Sequence, residues 1–427
     1  MEIKALYELF LTCTGISTDT RKIEVGVLFF ALKGPNFNGN QYASLALEKG
    51  AKYCIVDEIA FKENDFCIFV NDALQTLQDL ANYHRKELDI PVIGIAGSNG
   101  KTTTKELTNA VLSTKFKTFA TIGNLNNHIG VPLSLLSISK SYEIAILELG
   151  ANHVNELALL CKIAEPSHGL ITNNGLDHLE GYGSFEGVVQ GNSEIFYWLL
   201  KNNGTPFVNS NDEILMRMAA RFKNPLTYGS DTDFSYAKII ENHFFIKIKT
   251  DEGEIMQTQL VGEYNVDNIN TALAVGKHFG VNHAHACKAI AAYKPANNRS
   301  QLIEKGTNKI ILDCYNANPS SMKLAIESFA KMNVPNKVLI LGDMYELGDY
   351  SLKEHENVVE YATELGFTKI FLAGIDFANT KIDTPFIKKF KDRAGLETFF
   401  QNYHLENHAI LIKGSRGMAM EKLIDFM

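Results

Sequence analysis

A chain of 427 residues with 45% hydrophobic residues is longer than one compact core serves, so two or three domains, each with its own core, are expected. A net charge of -8 and a pI near 5.9, without clustered Lys and Arg, exclude a nucleic-acid scaffold, because neutralising phosphate backbones needs a basic surface. Any anionic ligand must be held locally.

The cysteines Cys13, Cys54, Cys67, Cys161, Cys287 and Cys314 are far apart, form no C-x-x-C pair, and in several cases sit inside apolar runs such as AKYCIVDE. They read as reduced core residues. The opening MEIKALYELF has no charged segment followed by an apolar stretch, and no apolar run reaches the roughly 18 residues of a membrane span. A cytoplasmic protein without membrane insertion is expected, acting as a monomer.

From Val25 to Asp72 the short apolar runs VGVLFFAL, KYCIVD and CIFVND alternate with the helical YASLALEKG, predicting a small α/β domain over residues 1–86. The helix ALQTLQDLANYHRKEL then leads to Pro91. Over residues 87–296 the strands PVIGIAG, IAILELG, GLITNN and PFVNS are too apolar to face water. They alternate with the helices HVNELALLCKIA and SFEGVVQGNSEIFYWLL, so a mostly parallel sheet covered on both faces is expected. Polar-apolar alternation between Ser235 and Val261 predicts an antiparallel edge or hairpin, followed by the helix NVDNINTALAVGKHFG. Residues 297–427 give a third series: KIILDCY, KVLILGDM, KIFLAGI and AILIKGS alternate with helices, as in a Rossmann-like doubly wound domain. The fold class is α/β with three domains.

The strand PVIGIAG runs into GSNGKTTTKELTNAVL, a glycine-rich turn followed by a lysine, hydroxyl residues and a helix. That order builds a phosphate cradle from Gly97, Ser98, Asn99, Gly100, Lys101, Thr102 and Thr103. Gly97 and Gly100 let backbone N–H groups point inward, the helix N-terminus adds partial positive charge, and Lys101 neutralises β and γ oxygens of ATP. Thr102 occupies the position that binds Mg²⁺ in such loops. The strict G-x-x-x-x-G-K spacing fails, since Ile95 stands where the first glycine belongs.

A phosphate loop alone cannot hold a metal-nucleotide against a second substrate. Glu148 ends the strand IAILELG at the carboxyl edge where α/β ligands bind, and is a candidate Mg²⁺ ligand. His178, in the segment after the strand GLITNN, lies near the same edge and is another.

The strings GSNGKTTT, GNLNNHIGVP, ELGANH, DHLEGYGS, NVDNINTALA, DCYNANPSSM, LGDMYELG and LIKGSRG, in this order across nearly the whole chain, resemble the Mur ligases. YNANP and LGDMYELG point to one branch of that family. The resemblance implies a central P-loop ATPase between a domain for the uridine nucleotide and a domain for the incoming dipeptide. It also implies the reaction: ATP-dependent, ADP-forming ligation of D-alanyl-D-alanine to UDP-N-acetylmuramoyl-tripeptide through an acyl phosphate, in peptidoglycan synthesis.

Residue roles follow from the same resemblance. Thr18, Asp19, Thr20, Arg21, Asn38 and Gly39 are implied to hold the uridine nucleotide. Asn124, Asn126 and Asn127 are implied for sugar and peptide groups of the acceptor. Asn268 is implied to read adenine, with Arg299 at the γ-phosphate and Asp313 at the ribose. Tyr315, Asn316, Asn318 and Pro319, with Lys413, Ser415 and Arg416, are implied to form the wall for the dipeptide.

One departure bears on mechanism. Where relatives carry a lysine whose carbamate helps bind a second Mg²⁺, alignment of SEIF leaves Asn192. The enzyme is therefore expected to need no carbamate, the second ion being held by Asn192 or a water. Two other readings stay open: another amino-acid ligase on the same ATPase core, such as a folate polyglutamylating enzyme, or a nucleotide-binding regulatory protein without ligase activity.

Overall fold

Apolar runs become the centres of parallel sheets in the computed structural model, which describes residues 2–296 and 298–427. In the first sheet Leu28–Phe30, Tyr53–Val56 and Cys67–Phe69 run parallel, with Ile16–Ser17 at one edge. All six cysteines are free thiols; only Cys13 is partly exposed, and burial pushes the Cys54 thiol up to about 12.

The helix Ala73–Leu88 starts where Asp72 accepts the N–H of Gln75, carries Arg85 and Lys86 in its last turn, and stops at Asp89 in a left-handed conformation. Its buried face serves two neighbours at once. The Tyr7 hydroxyl meets His84 Nδ1 at 3.1 Å from the N-terminal side, while His84 Nε2 meets the carbonyl of Ile138 at 2.8 Å. Gln78 donates to the carbonyl of His128 and Arg85 to that of Ala164. One apolar cluster accordingly runs from Phe30 and Ile55 through Leu77 and Leu80 to Leu147 and Leu160.

The central sheet is parallel throughout, in the order Leu226–Tyr228, Thr205–Asn209, His168–Ile171, Val92–Ala96, Ile144–Glu148, Thr118–Ala120. Val92–Ala96 lies between Ile144–Glu148 and His168–Ile171, which sets three loops side by side at the carboxyl edge. The expected antiparallel segment is a separate sheet of Ala237–Asn242, Ile246–Thr250 and Ile255–Gln257.

In the C-terminal sheet, Asn308–Asp313, Ala409–Lys413, Lys337–Gly342 and Ile370–Ala373 are neighbours in parallel. Two strands absent from the sequence reading close its edges: Gln301–Lys305, antiparallel, and Ile387–Phe390. Both carry polar residues and lack the continuous apolar signature of a central strand.

At the amino edge of the central sheet, His168 Nε2 lies 3.1 Å from His278 Nε2, among the rings of Phe207 and Phe279. Burial, reinforced by the second imidazole, holds the His168 pKa down at about 4. The unfolded chain binds this proton near pH 6.5, so stability is full above that value and falls as pH drops from 6.5 toward 4. An acid-linked loss of about 3 kcal/mol is expected. His168→Gln should flatten that slope, read as urea midpoints between pH 7 and 4.

Candidate active site

The turn after Val92–Ala96 depends on two glycines in left-handed or extreme backbone, Gly97 at φ 118° and Gly100 at φ 83°. A Cβ on Gly97 would overlap Thr172, and one on Gly100 would stand 2.6 Å from Asn268 Oδ1. Only glycine lets the chain pass here.

The N–H of Ser98 already donates to the carbonyl of Asn173 and that of Asn99 to Asn173 Oδ1. Among the described residues, no protein acceptor meets the N–H groups of Gly100, Lys101, Thr102 or Thr103, at the start of the helix Lys101–Leu112. The anion-binding part of the turn is thus its second half, where helix N-terminus and free donors coincide. Lys101 Nζ rests on the carbonyls of Gly97 and Ser98.

Glu148 is 3% exposed at the end of its strand. Its carboxylate accepts the Thr102 hydroxyl and the Asn126 amide, each at 2.8 Å. No cation pairs with it among the described residues, an arrangement that is costly unless a cation arrives. A buried carboxylate and a hydroxyl form a hard oxygen donor set that fits Mg²⁺. Asp177 accepts the Ser98 hydroxyl and holds the next loop against the turn, which places His178 at the rim.

These groups line one cavity of about 410 Å³. Ser98, Asn99, Gly100, Lys101, Thr102 and Thr103 form its floor, with Glu148 and His178 beside them. Asn124, Asn126, Asn127 and Asn268 line it from the central domain, and Arg299, Asp313, Tyr315, Asn316, Asn318 and Lys413 from the C-terminal one. Gly97 lies just beneath.

Several of these side chains have local partners that the sequence did not reveal. Asn268 accepts the Thr104 hydroxyl and donates to Asn265, so it braces the turn. Asn127 accepts the N–H groups of Ile129 and Gly130, and Asn318 caps the helix Pro319–Lys331 while donating to Asn99 Oδ1. Asp313 and Lys413, expected on different ligands, form an ion pair at 2.6 Å on adjacent strand ends. Arg299 stacks 3.5 Å over the Tyr315 ring, with Arg416 5.2 Å from the same ring.

The remaining candidates lie elsewhere. Thr18, Thr20, Asp19 and Arg21 are in the first domain, where Arg21 pairs with Asp19 and holds its carboxyl down at about 2. Asn38 accepts the N–H of Asn40 ahead of the turn at Gly39 and donates to Glu58. Ser415 accepts the N–H of Tyr345. Asn192 is 6% exposed and donates to Asn174 Oδ1 rather than lining the cavity. Sequence reasoning missed Asp177, Asn152, Glu156, Tyr264 and Ser300, which also face the cavity; adjacency to His178 was the available signal for Asp177.

Comparison with known proteins agrees with this architecture. Residues 95–276 match the Mur ligase middle domain and residues 298–416 the Mur ligase, glutamate ligase domain. The UDP-N-acetylmuramoyl-tripeptide--D-alanyl-D-alanine ligase of Bacillus subtilis (strain 168) is 34% identical, with 96% of this chain and 92% of the relative covered. The protein of that name from Escherichia coli (strain K12) is 32% identical over 97% and 93%. A crystal structure of MurF from Acinetobacter baumannii superposes with a TM-score of 0.87 at 30% identity, covering 97% and 93%. MurF ligase from Thermotoga maritima in complex with ADP superposes with a TM-score of 0.86 at 26% identity, covering 98% and 97%. The chain belongs to the Mur ligase family.

Proposed function

We propose that the chain ligates D-alanyl-D-alanine to UDP-N-acetylmuramoyl-tripeptide, consuming ATP and releasing ADP and phosphate, as a cytoplasmic monomer in peptidoglycan synthesis. The observation that carries this reading is the meeting, in one cavity, of free loop N–H groups, a buried unpaired carboxylate and residues of the C-terminal domain. Relatives named for this reaction across nearly their whole length support the choice of substrates.

The division is into residues 1–86 for the uridine nucleotide, 87–296 for ATP and 297–427 for the dipeptide. The polyphosphate lies on the N–H groups of Gly100 to Thr103, and Lys101 exchanges loop carbonyls for β and γ oxygens. The groove of about 240 Å³ beside Gly100 and Asn268 takes the adenosine, with Asn268 fixing its floor. Thr102, Glu148 and His178 hold Mg²⁺, which supplies charge neutralisation at the phosphates. In the first domain, Arg21 leaves Asp19 for the diphosphate, within reach of Thr18 and Thr20.

The tripeptide carboxylate attacks the γ-phosphorus in line, and ADP departs. Loop N–H groups and Lys101 stabilise the charge on the transferring oxygens without covalent participation. The amine of D-alanyl-D-alanine then attacks the acyl carbon, expelling phosphate and losing a proton as the amide forms. Asn124 and Asn126 on one side and Tyr315, Asn316 and Arg416 on the other orient acceptor and dipeptide. Water must be kept out between the steps, which the C-terminal wall of the cavity accomplishes.

Phosphate release should require ATP, Mg²⁺, UDP-muramoyl-tripeptide and D-alanyl-D-alanine together; release indifferent to the dipeptide would favour another ligase, and none at all a regulatory protein. Because Asn192 points to Asn174, away from the cavity lining, added bicarbonate should leave the rate unchanged. Strong bicarbonate dependence would contradict this.

A further inference from the structure

The segment carrying LGDMYELG is not used by the chemistry above, yet it reaches a residue that is. Glu346 Oε2 lies 2.5 Å from His178 Nδ1, across the junction of the C-terminal and central domains. This nitrogen is buried, and the carboxylate approaches obliquely to the ring's hydrogen-bonding direction, so its alignment depends on how the loop is seated. Among the described residues no other acceptor serves it.

Both residues occupy the left-handed backbone region, Glu346 at φ 63° and His178 at φ 48°. Histidine enters this region more readily than most residues, but glutamate does so rarely, and such a conformation persists where the surroundings impose it. The surroundings are visible. Tyr345 donates its N–H to Ser415, and the Glu346 carbonyl accepts the N–H of Glu180 at 3.2 Å. Met344 and Leu347 share an apolar cluster with Leu179 and Tyr182 from the other domain. The Tyr350 hydroxyl donates to the carbonyl of Gly183.

We propose that Glu346 is a positioning residue: when the C-terminal domain docks, its carboxylate engages His178 Nδ1 and fixes the imidazole as a ligand of the metal-nucleotide. With Nδ1–H engaged, the lone pair resides on Nε2, the form able to ligate. In the undocked arrangement Glu346 is absent and the ring is free to turn. Site assembly is then coupled to docking, so that ATP is committed only when the dipeptide domain is in place. This inference rests on the reading of His178 as a metal ligand.

The test compares Glu346→Ala, Glu346→Gln, His178→Ala and the double variant His178→Ala/Glu346→Ala in the full chain. Readouts are kcat, the KM of each substrate, thermal melting, and Mn²⁺ affinity of the ADP complex by electron paramagnetic resonance. Glu346→Ala should lower kcat about 10-fold and weaken Mn²⁺ binding by a similar factor, as loss of a ligand's hydrogen-bond partner does. The KM values of UDP-muramoyl-tripeptide and D-alanyl-D-alanine should move less than about 3-fold, since their ground-state binding does not involve the metal. Glu346→Gln keeps an acceptor for Nδ1–H and should restore most of both. The double variant should match His178→Ala, because a residue acting through another adds nothing once that one is gone.

Normal kcat and Mn²⁺ affinity in Glu346→Ala, with His178→Ala impaired, would overturn the inference and leave the ligand reading standing. Losses that multiply in the double variant would overturn it too. Unchanged Mn²⁺ affinity in His178→Ala would remove the ligand reading and, with it, the role given to Glu346.

Discussion

Lys101→Met is expected to fold normally and to lose about 10³-fold in kcat, the scale seen when a preorganised charge partner of the transition state is removed. Without nucleotide the lysine only contacts the carbonyls of Gly97 and Ser98. Losing those bonds costs about 1 kcal/mol each, so melting should shift by only a few degrees. The methionine stem fills the same space but carries no charge to spread over β and γ oxygens. ADP affinity should fall far less than kcat, since the free N–H groups of Gly100 to Thr103 remain. Phosphate-release kinetics with calorimetric ADP titration check this; kcat within 10-fold of the parent protein would remove Lys101 from the reaction.

Glu148→Gln separates structure from chemistry at the second position. The carboxylate now accepts from both Thr102 and Asn126. A glutamine keeps one acceptor for Asn126, and its amide can donate to a rotated Thr102 hydroxyl, so the strand end should survive. What disappears is the buried negative charge. A drop in kcat of about 10²-fold is expected, together with a higher Mg²⁺ concentration for half-maximal rate. A Mg²⁺ dependence identical to that of the parent would show that the carboxylate serves only to hold the turn.

The phosphate turn, Glu148 and His178 were legible because their signals are local. The turn and Glu148 sit at the carboxyl ends of apolar strands and His178 in the loop after the next one, and parallel pairing then brings those ends together without further information. The partnership of Asp313 with Lys413 was not legible, since it depends on which strands become neighbours across a hundred residues. Several asparagines carry a structural role that their residue type alone does not display. Asn38, Asn127 and Asn318 each spend a carbonyl on a turn or helix cap, a local satisfaction that the same amide chemistry provides. Edge strands Gln301–Lys305 and Ile387–Phe390 escaped because half-solvated strands lose the apolar run that marks buried ones. Glu346 was seen only as part of a family string; its partner lies in another domain.

The double-sided packing of the helix Ala73–Leu88 bears on how such a protein can be recombined. His84 and Arg85 hold carbonyls of the central domain, while Tyr7 anchors the same helix from the N-terminal side. A chimera joined at residue 86 would take Leu88 from one parent and Leu77, Leu80 and Arg85 from the other, splitting a single interlocked surface. Exchange of nucleotide-recognition modules between relatives therefore has to carry this helix together with the segments it touches, Gly130–Leu136 and Glu156–Ala164, or rebuild that surface residue by residue.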